Sequence, residues 1–98
     1  MARAYTHTSW VVTRGREEEF IERWSEWADW SRREGLAARA MLLRDADNTE
    51  RFVSFGPWES MQAVRTWRGS PGYQERVAKL REVVDSFEPR TFELVAGG

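Results

Sequence analysis

The sequence predicts one α+β domain over residues 1–98, with a four-stranded antiparallel sheet and helices on one face. Segments rich in β-branched and aromatic residues lie near both ends and in the middle of the chain. Two helical stretches separate them, and the second is interrupted by Gly69-Ser70-Pro71-Gly72.

The first strand is "AYTHTSWVVT", Ala4 to Thr13, which carries no helical spacing. In "RGREEEFIERWSEWADWSRREG", Phe20, Trp24, Trp27 and Ser31 recur at helical spacing, and Ile21, Ala28 and Trp30 widen the stripe. Glu17, Glu18 and Glu19 favour the helix N-terminus, Arg32 and Arg33 its end, and Gly35 a C-cap. "LAARAMLLRD" and "ERFVSFGPW" read as a hairpin around the polar turn "ADNT". A short helix follows, from about Glu59 to Trp67. Ser70 then supplies an N-cap and Pro71 a first helical residue. Tyr73, Val77, Leu80, Val84 and Phe87 mark the buried face of this last helix, which Pro89 is expected to stop. "RTFELVA" is the final strand, and Gly97 and Gly98 form a frayed end. Strand, helix, strand, strand, helix pair, strand is the ferredoxin-like split βαβ order.

Composition narrows the function. A formal net charge of -1 argues against a nucleic-acid partner. The absence of cysteine excludes disulfides, thiolate metal sites and cysteine nucleophiles, and it fits a reducing compartment. No apolar run approaches the ~18 residues of a membrane span, and "MARAYTHTSWVV" lacks a signal-peptide core, so the chain reads as cytoplasmic and free of membrane contact. Six tryptophans and five phenylalanines are a heavy load for this length, which suits an aromatic core, an apolar ligand pocket or a subunit interface.

Strand parity adds a partner. Thr8, Trp10 and Val12 share one face of the first strand, and His7, Ser9 and Val11 the other. Ala38, Ala40 and Leu42 oppose Arg39, Met41 and Leu43, while Phe52 and Ser54 oppose Val53 and Phe55. Neither face is cleanly polar. Helices cover one face only, so a second copy of the chain is expected on the other, giving a homodimer.

"TRGREEEF" after the first strand, "FGPWESMQAV" entering the short helix and "TWRGSPGY" across the break together resemble the antibiotic-biosynthesis-monooxygenase domain of the dimeric α+β barrel superfamily. The resemblance covers nearly the whole chain. It implies a homodimer with facing sheets and a pocket in each subunit between sheet and helices. Members resembling this chain at Trp67 and Tyr73 are cofactor-free oxygenases of anthrones and quinols. They carry an asparagine one turn before that tryptophan, where this chain has Ala63. Haem-degrading members use an asparagine on the first strand, the same tryptophan and a histidine ligand on the last helix. Thr8, Trp67 and Val77 stand at those places, and an apolar valine cannot ligate iron.

The candidate residues each have two readings. Trp67 and Tyr73 are either core at a helix junction or catalytic donors that hold a carbonyl or phenolate in a dry pocket. Their expected cavity is floored by Thr8 and Trp10, closed by Trp24 or Trp27, and flanked by Ala63 and Val77. Trp24, Trp27 and Trp30 are otherwise sheet-packing residues. His7, the one histidine, is the default general base, but parity directs it toward the partner sheet. No metal site, cofactor fingerprint, Ser/His/Asp set or phosphate loop is apparent. The sequence therefore supports a cofactor-independent monooxygenase of a small planar aromatic, with a non-catalytic small-molecule binder or polyketide cyclase-like accessory dimer as the alternative.

Overall fold

The computed structural model describes residues 4–36 and 38–97. Ala37 and Gly98, read above as strand and frayed end, lie outside them. The elements are β1 (Ala4–Val12), α1 (Glu17–Arg33), β2 (Met41–Arg44), β3 (Arg51–Trp58), α2 (Met61–Arg68), α3 (Pro71–Arg81) and β4 (Val84–Glu93). The sheet order is β2-β3-β1-β4 and every pairing is antiparallel. This is the expected α+β architecture.

The helix ends follow the residues that sequence singles out. Ser60 Oγ accepts from the Ala63 N–H at the head of α2, and Ser70 Oγ accepts from the Tyr73 N–H at the head of α3. Glu34 caps α1, and Gly35 follows at φ +119°, a conformation that a side chain would strain. The buried stripe of α1 is Phe20, Trp24, Trp27 and Ser31, as its spacing predicts.

Two elements differ from the sequence reading. The last helix stops at Arg81, so Val84 and Phe87 belong to β4 rather than to α3. The reason is pairing. From Val84 to Glu93 the chain runs antiparallel along all of β1, with Val12 opposite Val84, Trp10 opposite Phe87 and Ala4 opposite Glu93. Phe87 keeps its apolar role and stacks on Trp10 at 5.3 Å. Pro89 lies inside this strand instead of stopping a helix. It is tolerated because β4 is an edge, where a missing ladder donor is harmless. The second strand is also shorter than "LAARAMLLRD" suggests, with Leu36 making only an isolated bridge to Trp58. Here the chain crosses over Gly56 instead of pairing along β3. A Cβ at Gly56 would lie 3.0 Å from Leu36 Cδ1 and 3.2 Å from Ala40 Cβ.

The core fills the space between helices and sheet. Trp10, Val12, Phe20, Trp58, Leu80 and Val83 are its most deeply buried members. The other sheet face carries Tyr5, His7, Val53, Phe55 and Phe92, and His7 meets Phe92 edge-on at 5.7 Å. Met41, Leu43 and Phe92 on that face are 51%, 47% and 47% exposed, so its apolar residues lie open.

A charged clasp ties α1 to α3. Arg23 donates to Glu19, to Glu82 and to the Lys79 carbonyl, and Arg16 pairs with Glu19. The Arg16 hydrogen bond, aided by the charges of Arg16 and Arg23, holds the Glu19 carboxyl below the usual carboxylate range. Its folded value is thus lower than its unfolded one. The stabilisation is complete above the ordinary range and vanishes as pH falls through the folded value. Melting temperatures of the wild type and Glu19→Gln should differ modestly at neutral pH and converge in acid. A gap that persists in strong acid would show that Glu19 acts through packing.

Candidate functional site

A small cavity lies between α1 and the sheet. Thr6 and Thr8 from β1 and Ser54 and Gly56 from β3 form its floor, Trp24, Trp27 and Ser31 from α1 its roof, and Trp58 and Trp67 its end. Leu36 and Ala40 close it from the connection between α1 and β2. Its free volume is about 20 Å³, room for roughly one water.

Local periodicity explains the convergence. Thr6 and Thr8 share a strand face, and Ser54 stands opposite Thr8 in the register. Trp24, Trp27 and Ser31 share one helix face through their three- and four-residue spacing. Trp67 reaches them from the last turn of α2, buried to 4% exposure.

The hydrogen bonds divide the five buried tryptophans into two groups. Trp10 donates to Ser54 Oγ at 2.9 Å, Trp58 to Thr6 Oγ1 at 3.0 Å and Trp67 to Ser31 Oγ at 3.0 Å. Ser31 in turn donates to the Trp27 carbonyl at 2.8 Å. Trp24 and Trp27 differ. Their indole N–H groups are buried and have no partner among the described residues.

Sequence reasoning placed Thr8, Trp24, Trp27 and Trp67 in one pocket, and the four do border this cavity. Trp10 does not line it, acting instead through its bond to Ser54. Tyr73 is also outside the lining. It packs edge-on against Trp67 at 4.7 Å and tilted against Trp27 at 6.2 Å, behind the cavity wall. Ala63 and Val77 are core residues rather than lining: Ala63 is half-buried against the core and Val77 is fully buried. His7 is on the opposite sheet face. Ser31, Ser54, Thr6 and Trp58 were missed as site residues. The legible signal was a serine on an otherwise apolar helical stripe.

No carboxylate, imidazole, amine or guanidinium lines the cavity among the described residues. Nor does any group of three His, Asp or Glu side chains come together there to hold a metal. The lining can donate neutral hydrogen bonds, exclude water and offer flat aromatic walls. It contains no group of its own to abstract a proton.

A family model for antibiotic biosynthesis monooxygenases matches residues 4–79. The chain belongs to the antibiotic biosynthesis monooxygenase family. Among solved structures it is similar to SnoaB, a cofactor-independent oxygenase from Streptomyces nogalater, in an asparagine-to-alanine variant. The TM-score is 0.89 at 22% identity, covering 99% of this chain and 97% of that one. SnoaB without the substitution matches with a TM-score of 0.87 at 22% identity, over 99% and 97% of the two chains. A conserved protein from Methanosarcina mazei matches with a TM-score of 0.82 at 15% identity, over 94% and 92%. Such identities establish likeness of fold. No curated protein sequence matches the chain. No helix among the described residues is long and apolar enough to cross a membrane.

Proposed function

We propose that this member of the antibiotic biosynthesis monooxygenase family is a cofactor-independent monooxygenase of a small planar aromatic, of the anthrone or hydroquinone type. The observation that carries the reading is the cavity itself. It is walled by tryptophans and hydroxyls and free of titratable groups. SnoaB, similar in fold, is a cofactor-independent oxygenase, which supports the same class here.

The missing base constrains the substrate. A wall of indoles and hydroxyls can stabilise an anion but cannot create one by proton abstraction. The substrate must therefore ionise readily by itself, as an anthrone or hydroquinone does. For an anthrone, the anion passes one electron to dioxygen, and the resulting radical pair combines at the methylene carbon and takes up the released proton to give a hydroperoxide. Loss of water leaves a ketone, so the CH₂ and O₂ become C=O and H₂O. The protein's part is orientation and exclusion of water. A tricyclic substrate exceeds the present free volume, so binding requires the walls to part.

The active unit on this reading is a homodimer, because the open sheet face carries Met41, Leu43, Phe55 and Phe92, three of them about half exposed. A non-catalytic small-molecule binder of the same fold is the second reading. It is favoured by Trp67, whose N–H is already satisfied by Ser31 and is not free for a substrate. Oxygen consumption with anthrone, measured in metal- and flavin-free buffer, separates the two. The oxygenase should consume one dioxygen per ketone formed, well above the uncatalysed rate. Tryptophan quenching by anthrone without oxygen uptake would leave the binder.

A further inference from the structure

We infer that the indole N–H groups of Trp24 and Trp27 form a two-donor subsite for a single acceptor oxygen, a water in the free protein and a ketone or phenol oxygen of the ligand in the complex. This rests on the reading of the cavity as a small-molecule site and specifies which atoms of the ligand it grips.

The argument begins with the contrast among the tryptophans. The fold provides a hydroxyl for each of Trp10, Trp58 and Trp67. It provides none for Trp24 or Trp27 among the described residues, although they are only 7% and 8% exposed. A buried donor without an acceptor is destabilising, and native proteins rarely keep two in one place without an occupant. Both rings stand on the same face of α1, three residues apart, and both border the same cavity.

The occupant's chemistry follows from the lining. Indole only donates, so its complement is an acceptor. The free volume suits one oxygen atom with little else. No cation borders the cavity, which disfavours a carboxylate or phosphate, whose full charge would be stranded. A neutral carbonyl or a delocalised phenolate or enolate oxygen fits. Thr8 and Ser54 border the same space, and their hydroxyls can accept from the resident water before the ligand displaces it. As negative charge grows on the ligand oxygen, two fixed donors in a water-free site gain strength without reorganising.

The test uses the full chain with ¹⁵N-labelled indoles and two planar tricycles, 9-fluorenone and fluorene, which differ by the carbonyl oxygen. Assignment comes from Trp24→Phe and Trp27→Phe. The Nε1–H resonances of Trp24 and Trp27 should move downfield with fluorenone and not with fluorene, while those of Trp10, Trp58 and Trp67 stay in place. Fluorenone should bind about tenfold more tightly than fluorene, and each phenylalanine variant should remove most of that preference, read as the ratio of the two affinities in the same variant. Equal affinity for the two ligands, no binding of fluorenone, or both resonances unmoved at saturation would overturn the subsite. Should a variant fail to fold, nuclear Overhauser contacts from each indole N–H assign the resonances in the wild type, whose shifts then decide. A protein that oxidises anthrone with both resonances unmoved keeps the oxygenase and loses the subsite. One that shows the shifts without consuming oxygen keeps the subsite and loses the oxygenase.

Discussion

Trp67→Ala is expected to destabilise the fold by about 3–5 kcal/mol, most of the margin of an ordinary small domain. The indole is 4% exposed and stands at the meeting point of three other rings. Its centroid lies 4.6 Å from Trp58, 4.7 Å from Tyr73 and 5.4 Å from Trp27. Truncation removes all three contacts and opens a void that the sheet on one side and α1 on the other cannot close. It also strips Ser31 of the donor it accepts from. Trp67→Phe should be milder, about 1–3 kcal/mol, because the ring contacts largely survive and Ser31 keeps its bond to the Trp27 carbonyl. Urea unfolding followed by circular dichroism measures both. A loss below about 1 kcal/mol for the alanine variant would show that Trp67 is a loosely held wall of the site and not a keystone of the core.

Trp67 also illustrates how far the residues could be read in advance. Its burial and its place beside Trp24 and Trp27 follow from helical spacing and from a chain break that turns α3 back on α2. What its N–H does was not legible. Whether an indole points at a ligand or at a serine depends on Ser31, a residue thirty-six positions earlier whose partner no local pattern names. The sheet shows the same division. Alternation along β1 and β3 assigned the faces correctly, because a strand with one buried side must keep its register. The end of α3 was misread because Val84 and Phe87 continue the helical spacing of Tyr73, Val77 and Leu80. The competing interaction is the ladder with β1, a contact between chain ends that periodicity within one segment cannot reveal. Leu36 and Ala40 escaped notice for a similar reason. Their role depends on passing over Gly56, which only the tertiary arrangement shows.

On the homodimer proposed above, Phe92→Glu is expected to give a folded monomer in place of the dimer. Phe92 stands on the open sheet face of edge strand β4, 47% exposed and against His7. Leu43 and Met41 occupy the same face on the opposite edge strand, so exposed apolar side chains stand at both edges of the sheet, with Ser9, Glu88 and Arg90 also on that face. In a two-fold interface one substitution acts twice. Two carboxylates would then have to lose water at the interface, where His7 and Arg90 are the groups able to offset part of a penalty of several kcal/mol. Dissociation should become at least a hundredfold more favourable, about 2.7 kcal/mol. The monomer itself should lose little, because the side chain already meets solvent on that face and its strand pairing with β1 involves only backbone. Leu43→Glu should act in the same direction from the other edge. Sedimentation equilibrium at micromolar concentration reads the result directly, with wild type at twice 11.5 kDa and each variant near 11.5 kDa with unchanged circular dichroism. A wild type already at 11.5 kDa would sink the dimer. Variants that stay dimeric would move the interface off this face, toward the helices, and leave the exposed apolar side chains unexplained.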